Sequence, residues 1–180
     1  MSCNICVEEC GTHEVISCYE DLRKGGISAI GLLECDHTIT EISNATQWDT
    51  NIASGKAHVL KRILGAIPVP APVEVPSPVG CGPRTVTETF DRTMTYTDSN
   101  VTADNNVFYD CLNNRTFEGL VIYHCEDDEV SYVTGTDFNV TVLDETPEDN
   151  AQLRNYKVTI KWRKKAMPTI TTAPTGIFSS

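Results

Sequence analysis

The chain has 180 residues, enough for one domain of ordinary size with room for an appended arm. Its 14 Lys and Arg face 25 Asp and Glu, and the resulting net charge of −11 disfavours general binding to nucleic-acid phosphates. No run approaches the ~18 apolar residues of a membrane helix, and the acidic, cysteine-rich stretch Met1 to Cys10 lacks the basic-then-apolar pattern of a secretory signal. A soluble protein without such a signal is therefore expected.

Residues 1–64 hold five of the eight cysteines and read as a Cys-rich N-terminal part of a β domain. After the Gly25-Gly26 turn, the glycine-flanked apolar run Ile27 to Leu33 fits a strand or buried turn better than a helix. Asp36 to Ser43 continues with Thr and Ile in alternation. Ser43 or Asn44 then caps a helix over about Thr46 to Ser54, with Trp48 and Ile52 four apart on one face and Gly55 as the stop. Ala57 to Leu64 resumes as a strand.

Residues 65–83 are different material. Pro68, Pro70, Pro72, Pro76, Pro78 and Pro83 alternate with Ala and Val, which forbids helix and interior strand and favours an extended run of roughly 3 Å per residue. The segment is apolar for a solvated linker, so it reads as a loop between two halves or as an arm lying on its own domain or a neighbouring subunit.

Residues 84–166 carry the strongest pattern. Thr85, Thr87, Thr89, Thr93, Thr95 and Thr97 form one face of a long strand, and Val86, Phe90, Met94 and Tyr96 the other, interrupted by Glu88 and Arg92. Turn chemistry from Asp98 to Asn105 offers Thr102 or Asp104 as cap to a short helix with Val107, Phe108, Cys111 and Leu112 on one stripe, stopped by Asn113-Asn114. Leu120 to Tyr123 is apolar on both faces and so a central strand. Glu126 to Glu129 is an acidic hairpin turn, Val130 to Val133 its return strand, and Phe138, Val140 and Val142 a further alternating strand. After the acidic loop Asp144 to Asn150, the closing strand points Arg154, Tyr156, Val158, Ile160 and Trp162 one way and Lys157, Thr159, Lys161 and Arg163 the other, the period of a half-buried strand. Phe90, Phe108, Tyr123, Phe138 and Trp162 are the expected core anchors. Residues 167–180 form a Thr-, Pro- and Ser-rich extended tail.

Chemistry is sparse along this frame. Cys3-x-x-Cys6 could start a tetrahedral zinc site completed by Cys10 and Cys18, or by His13, Cys35 or His37, yet a second pair at finger or ribbon spacing is missing. No cofactor is expected, with zinc as the only candidate. Cys111 and Cys125 fall on expected core-facing positions, where a thiol acts as a small hydrophobe. The sequons at Asn44, Asn100, Asn114 and Asn139, with an even cysteine count, fit a glycosylated secreted domain; the absent signal favours reduced thiols and assembly inside a cell. His124 and Cys125 are strand neighbours facing opposite sides, and cannot form a catalytic pair with each other. No phosphate loop, dinucleotide fingerprint, nucleophile elbow or His-Glu-x-x-His is present, and Asp127-Asp128 lacks calcium-loop spacing. An enzyme is not expected, nor a small-molecule substrate or membrane partner. The basic cluster Lys161, Arg163, Lys164 and Lys165, together with Pro68, Pro70 and Pro72, supplies the candidate inter-subunit contacts, the cluster meeting the acidic hairpin or the 144–149 loop of a neighbour.

The order of elements from Thr85 to Pro168 resembles the core of bacteriophage tail-tube type proteins. The resemblance rests on the long Thr-rich strand, the helix Asn106 to Asn113, the pair Gly119 to Tyr123 and Val130 to Val133, and the strands Phe138 to Val142 and Tyr156 to Trp162. It covers about half the chain and is architectural, without a diagnostic motif. It implies a mainly β fold, an antiparallel sandwich or barrel with one or two short flanking helices, in a virion subunit assembled in the host cytoplasm. Its partners would be copies of itself and other virion proteins, joined by shared sheets into rings or a tube through which DNA passes without tight binding. A capsid-decorating, head or connector virion protein and a secreted immunoglobulin-like binding module are the other readings.

Overall fold

The alternating segments pair into one antiparallel sheet that closes on itself. The computed structural model describes residues 26–76, 85–113, 115–124, 128–146 and 154–178. Among these, eight strands and two helices follow as β1 (Ile27–Leu33), α1 (Ala45–Ala53), β2 (Ala57–Ala66), β3 (Ala71–Pro76), β4 (Thr85–Asp98), α2 (Ala103–Leu112), β5 (Thr116–His124), β6 (Glu129–Glu145), β7 (Asn155–Lys164) and β8 (Thr169–Thr172). Six of them form a barrel in the order β2-β1-β5-β6-β7-β4, and β4 returns to β2 through Leu64↔Thr97, Gly65↔Tyr96 and Ala66↔Thr95. Of the sandwich and barrel forms expected, the barrel is the one adopted.

The interior follows from the alternation. Ile30 and Leu32 of β1, Met94 and Tyr96 of β4, Leu120 and Ile122 of β5, Val140 of β6, and Val158 and Ile160 of β7 are all buried in one cluster. Each such aliphatic or aromatic side chain removed from water contributes roughly 1.5 to 3 kcal/mol. In β2 the buried residues Leu60 and Ile63 are three apart rather than two or four. An irregularity in the pairing accompanies this: Arg62 sits at φ 59, and the two steps from Ile27 to Ala29 of β1 face the four from Gly65 to Lys61 of β2. Such an irregularity bends its strand. Directly after it, Gly65 pairs with Ile27 of β1 on one edge and with Tyr96 of β4 on the other.

A second core lies outside the barrel wall. β1 is buried on both faces because Ala29, Gly31 and Leu33 lie beneath α1 and the C-terminal residues Ile177 and Phe178. Trp48 is fully buried there, its Nε1 donating to the Ile42 carbonyl at 2.8 Å, with the Phe178 ring 5.1 Å away in an edge-on arrangement. Asn44 is the N-cap of α1, accepting from Gln47 N. The partner of Trp48 on the buried face is Asn51 rather than Ile52, which is 40% exposed. Polarity overrides the apolar stripe because the preceding loop needs acceptors. Asn51 Oδ1 takes the Thr38 N–H at 2.9 Å, and Gln47 Oε1 takes those of Thr40 and Glu41 at 2.9 and 3.1 Å. Those donors are thereby spent on side chains, so Asp36 to Ser43 is a turn-rich loop despite its alternation.

Three further readings change. Val130 to Val133 and Phe138 to Val142 belong to the single 17-residue strand β6, bent at Gly135, where φ is +67 and a side chain would be strained. Its first part pairs with β8 and its last part with β7 on the same edge. Part of the 65–83 segment, expected as a loop or arm, is a strand: the prolines bar an interior strand, and β3 is an edge strand on β4, the place where a missing N–H is tolerated. The tail is not free over residues 169–178, since β8 pairs with β6 and Phe178 is buried. Of the expected anchors, Phe138 and Trp162 are buried, while Phe90, Phe108 and Tyr123 are half-buried.

Candidate assembly surface

The barrel wall has two kinds of outer surface. The side made by β1 and β5 is covered by α1 and the C-terminal residues, whereas the side made by β4, β7 and the last part of β6 carries an exposed sheet face. Strand register arranges that face in rows. Thr95, Thr159 and Thr141 stand side by side on three strands; Thr93, Lys161, Asn139 and Thr116 form the next row, and Thr97, Lys157 and Leu143 the one beyond. Aliphatic alternation on the inner face therefore leaves hydroxyls and amides outside.

At the hairpin end of this face, Asp91 and Arg163 lie opposite each other and pair through two hydrogen bonds, Nε to Oδ1 at 2.6 Å and Nη2 to Oδ2 at 3.2 Å. The Arg163 hydrogen bond holds the Asp91 carboxyl below its usual range, and the same bond raises the guanidinium. Both groups are exposed, so the pair orients the surface more than it stabilises the fold. A groove of about 610 Å³ is bounded by this pair and by Arg92, Thr93, Thr136, Asp137, Asn139, Lys161 and Trp162. It offers hydrogen-bonding groups of both kinds. Its titratable members do not include a Cys or His nucleophile–base pair.

Below the barrel, β4 continues as half of a two-stranded ribbon. Residues 85–89 of β4 pair with β3 alone, and β7 joins only from Phe90 onward. The ribbon thus has two edges with no strand partner among the described residues. On the β3 side Pro72 and Pro76 interrupt the row of donors, as edge protection requires. On the β4 side the run Thr85-Val86-Thr87-Glu88-Thr89 contains no proline. An isolated two-stranded ribbon is marginal in water, so this one depends on the barrel strands it continues from.

The expected inter-subunit residues are divided between these places. Pro72 is in β3 opposite Phe90, and Pro68 and Pro70 precede that strand. Lys161 and Arg163 are on the exposed face, but Lys164 turns to the other side and donates to the Thr134 carbonyl, while Lys165 is exposed beyond β7. The cluster is not one patch, because strand alternation separates it. Asp91, the anchor of Arg163, carried no signal of its own in the sequence.

Other candidates resolve differently. Cys3, Cys6, Cys10, Cys18 and His13 lie outside the described residues, as do Cys81 and Cys125. Cys35 is an exposed free thiol, and among the described residues no three His, Cys, Asp or Glu side chains are placed to hold a metal. Cys111 is also exposed, contrary to the core position expected for it, and Val107 is 70% exposed. Leu112 is buried and Phe108 half-buried against the core, as expected, but Tyr109 takes the place of Val107 and Cys111, because its ring packs on that of Tyr156 at 4.4 Å and its hydroxyl donates to Asp98 Oδ2 at 2.7 Å. His58 is a structural neighbour of Glu34, Nε2 to Oε1 3.0 Å, and Arg115 completes that buried carboxylate at 3.2 Å. No described helix is long and apolar enough to cross a membrane.

Burial pushes the phenols of Tyr96 and Tyr109 well above their ordinary value of about 10. A folded-state pKa above the unfolded one means that this contribution is fully present below about pH 10 and is lost as pH rises through the folded value. Stability is therefore expected to fall steeply above about pH 10, with Tyr96 and Tyr109 ionising only as the barrel unfolds. A spectrophotometric titration checks this; if all six tyrosines ionise together near pH 10 with the fold intact, the inference is wrong.

No family model matches this chain, and comparison with curated proteins and with solved structures gives no match either.

Proposed function

We propose that this chain is a structural subunit of a viral particle, of the bacteriophage tail-tube type, that assembles with copies of itself by joining sheets. The ribbon of β3 and the first part of β4 carries the reading, because its proline-free edge over Thr85–Thr89 presents backbone donors and acceptors that a neighbour's strand would satisfy. Repeated around a symmetric ring, the same contact extends each barrel wall into the next. The threonine rows support a surface along which a polyanion could pass without being held. Hydroxyls bind phosphate weakly, Asp91 offsets Arg163, and Glu145 stands 3.9 Å from Lys157. Lys161 adds one positive charge to that face.

Sedimentation and negative-stain imaging of the full chain test the proposal. Rings or tubes of uniform diameter are expected under conditions that favour assembly. A chain that stays monomeric across salt and concentration overturns it.

A further inference from the structure

Beyond the pair Phe90↔Lys164 the sheet forks. β4 continues toward Thr85 with β3 alone. The chain leaving β7 keeps to β6 instead: Thr136 Oγ1 donates to the Arg163 carbonyl at 3.0 Å, Lys164 Nζ donates to the Thr134 carbonyl, and β8 then pairs with β6 over residues 129–132. β8 therefore prolongs the line of β7, and the edge it turns away from β6 corresponds to the edge that β7 offers to β4. Among the described residues, that edge of β8 and the edge of β4 over Thr85–Thr89 both lack a strand partner, and they border the two sides of one fork.

The other open strand edges among the described residues are covered or broken. On β6 past Asn139, the Val140 N–H reaches the Arg115 carbonyl at 3.1 Å and the Val142 N–H reaches Asn113 Oδ1 at 3.0 Å. The β2 edge ahead of Leu64 shares a pocket with α2, lined by Val59, Lys61, Asn105 and Phe108. The outer edge of β3 is interrupted by Pro72 and Pro76. Two runs remain, each rich in β-branched residues and free of proline: Thr85 to Thr89, and Thr169-Ile170-Thr171-Thr172. Pro168 and Pro174 bracket the second run, and its Ile170 is 50% exposed.

We propose that the β4 edge of one copy receives β8 of the next, so that the sheet runs on as β3-β4-β8-β6 across the contact. The contact rests on the assembly by joined sheets proposed above and names its two edges. β4 is antiparallel to β7, and β8 runs the same way as β7, so β4 and β8 have opposite senses within one chain. Rotation about an axis along the strands preserves those senses, and copies set round such an axis join β4 to β8 in the antiparallel form, the more stable one. Two β4 edges meet antiparallel only across a two-fold axis perpendicular to the strands, and that contact stops at a dimer. Because β8 has only four residues, a single join is weak. A closed ring, in which every copy makes the join twice, strengthens it.

The test is photo-cross-linking of the full chain with Ile170→p-benzoylphenylalanine, mixing isotopically heavy and light copies under conditions that favour assembly. Heavy-to-light cross-links from residue 170 are expected to land on residues 85–89. Proline gives a matching loss: of Ile170→Pro and Thr171→Pro, one removes a donor from the outer edge of β8, and that variant is expected to raise the critical concentration about tenfold at an unchanged unfolding midpoint. Rings in which residue 170 never cross-links to residues 85–89 of another copy overturn the contact and leave the ring assembly standing. Cross-links that land there within a closed dimer keep the contact and overturn the ring. Cross-links confined to residues 85–89 of the same copy show the fork closing on itself and overturn the contact. A chain that never associates overturns both.

Discussion

Replacing Gly31 by valine is expected to destabilise the fold by about 3 kcal/mol, the upper end of what overpacking a core usually costs. A Cβ at this position would lie 2.6 Å from Cη2 and 2.9 Å from Cζ3 of Trp48, and 3.2 Å from the Phe178 ring. None of these atoms is the loose end of a flexible chain. The indole is fully buried and pinned by its hydrogen bond to Ile42, so it cannot yield without breaking a second contact. The side chain of residue 31 and the Trp48 ring therefore compete for one space. Trp48→Ala is expected to cost ~3 to 5 kcal/mol by leaving a cavity between α1 and β1. The double variant should cost less than the sum, because the small residue vacates the space the valine needs. Urea unfolding of the three variants checks this. A Gly31→Val change of under about 1 kcal/mol would show that α1 rides loosely on the wall.

The second large effect concerns association rather than folding. Successive N–H groups of a strand point to opposite edges. The β3–β4 register shifts at Glu88, and on its far side Val86 and Thr87 are regularly paired with Val75 and Glu74, so of Val86→Pro and Thr87→Pro one removes a donor from the outer edge of the ribbon and the other a donor facing β3. At least one of these variants is expected to keep the unfolding midpoint of the parent and to raise the critical concentration for assembly at least about tenfold, the worth of one interfacial hydrogen bond with its steric clash. Repetition of the contact around a ring makes the observed effect larger still. Parent-like assembly of both variants would show that neighbours do not meet at this edge.

The barrel was largely legible in the sequence, and the departures have local causes. Strands announced themselves wherever aliphatic alternation was strict, as in Tyr156-Lys157-Val158-Thr159-Ile160, where the inner and outer residues are the ones expected. Alternation misled at Asp36 to Ser43, because the acceptors that draw its N–H groups away are Gln47 and Asn51, later in the chain and on a helix. The buried face of α2 was half legible: Leu112 and Phe108 face the core as expected, while the packing of Tyr109 on Tyr156 turns Val107 and Cys111 outward. Pairing partners were beyond reach: nothing local says that β3 and β2 share an edge of β4, or that Asp91 would meet Arg163 across 72 positions. Arg92 did leave a trace, as a break in the apolar face of its strand.

The return of β4 to β2 rests on three residue pairs, whereas β4 and β7 share nine. Resistance to opening is therefore uneven around the cylinder, and its weakest line runs down Leu64–Ala66, between α2 at one end and the proline segment at the other. Parting along that line would uncurl the barrel into a sheet still ordered as β2-β1-β5-β6-β7-β4. The two strand edges freed by parting would be those of β2 and β4, the strands that lead into the projecting ribbon. The closure that hides the core and the ribbon edge over Thr85–Thr89 thus lie on the same strand, β4.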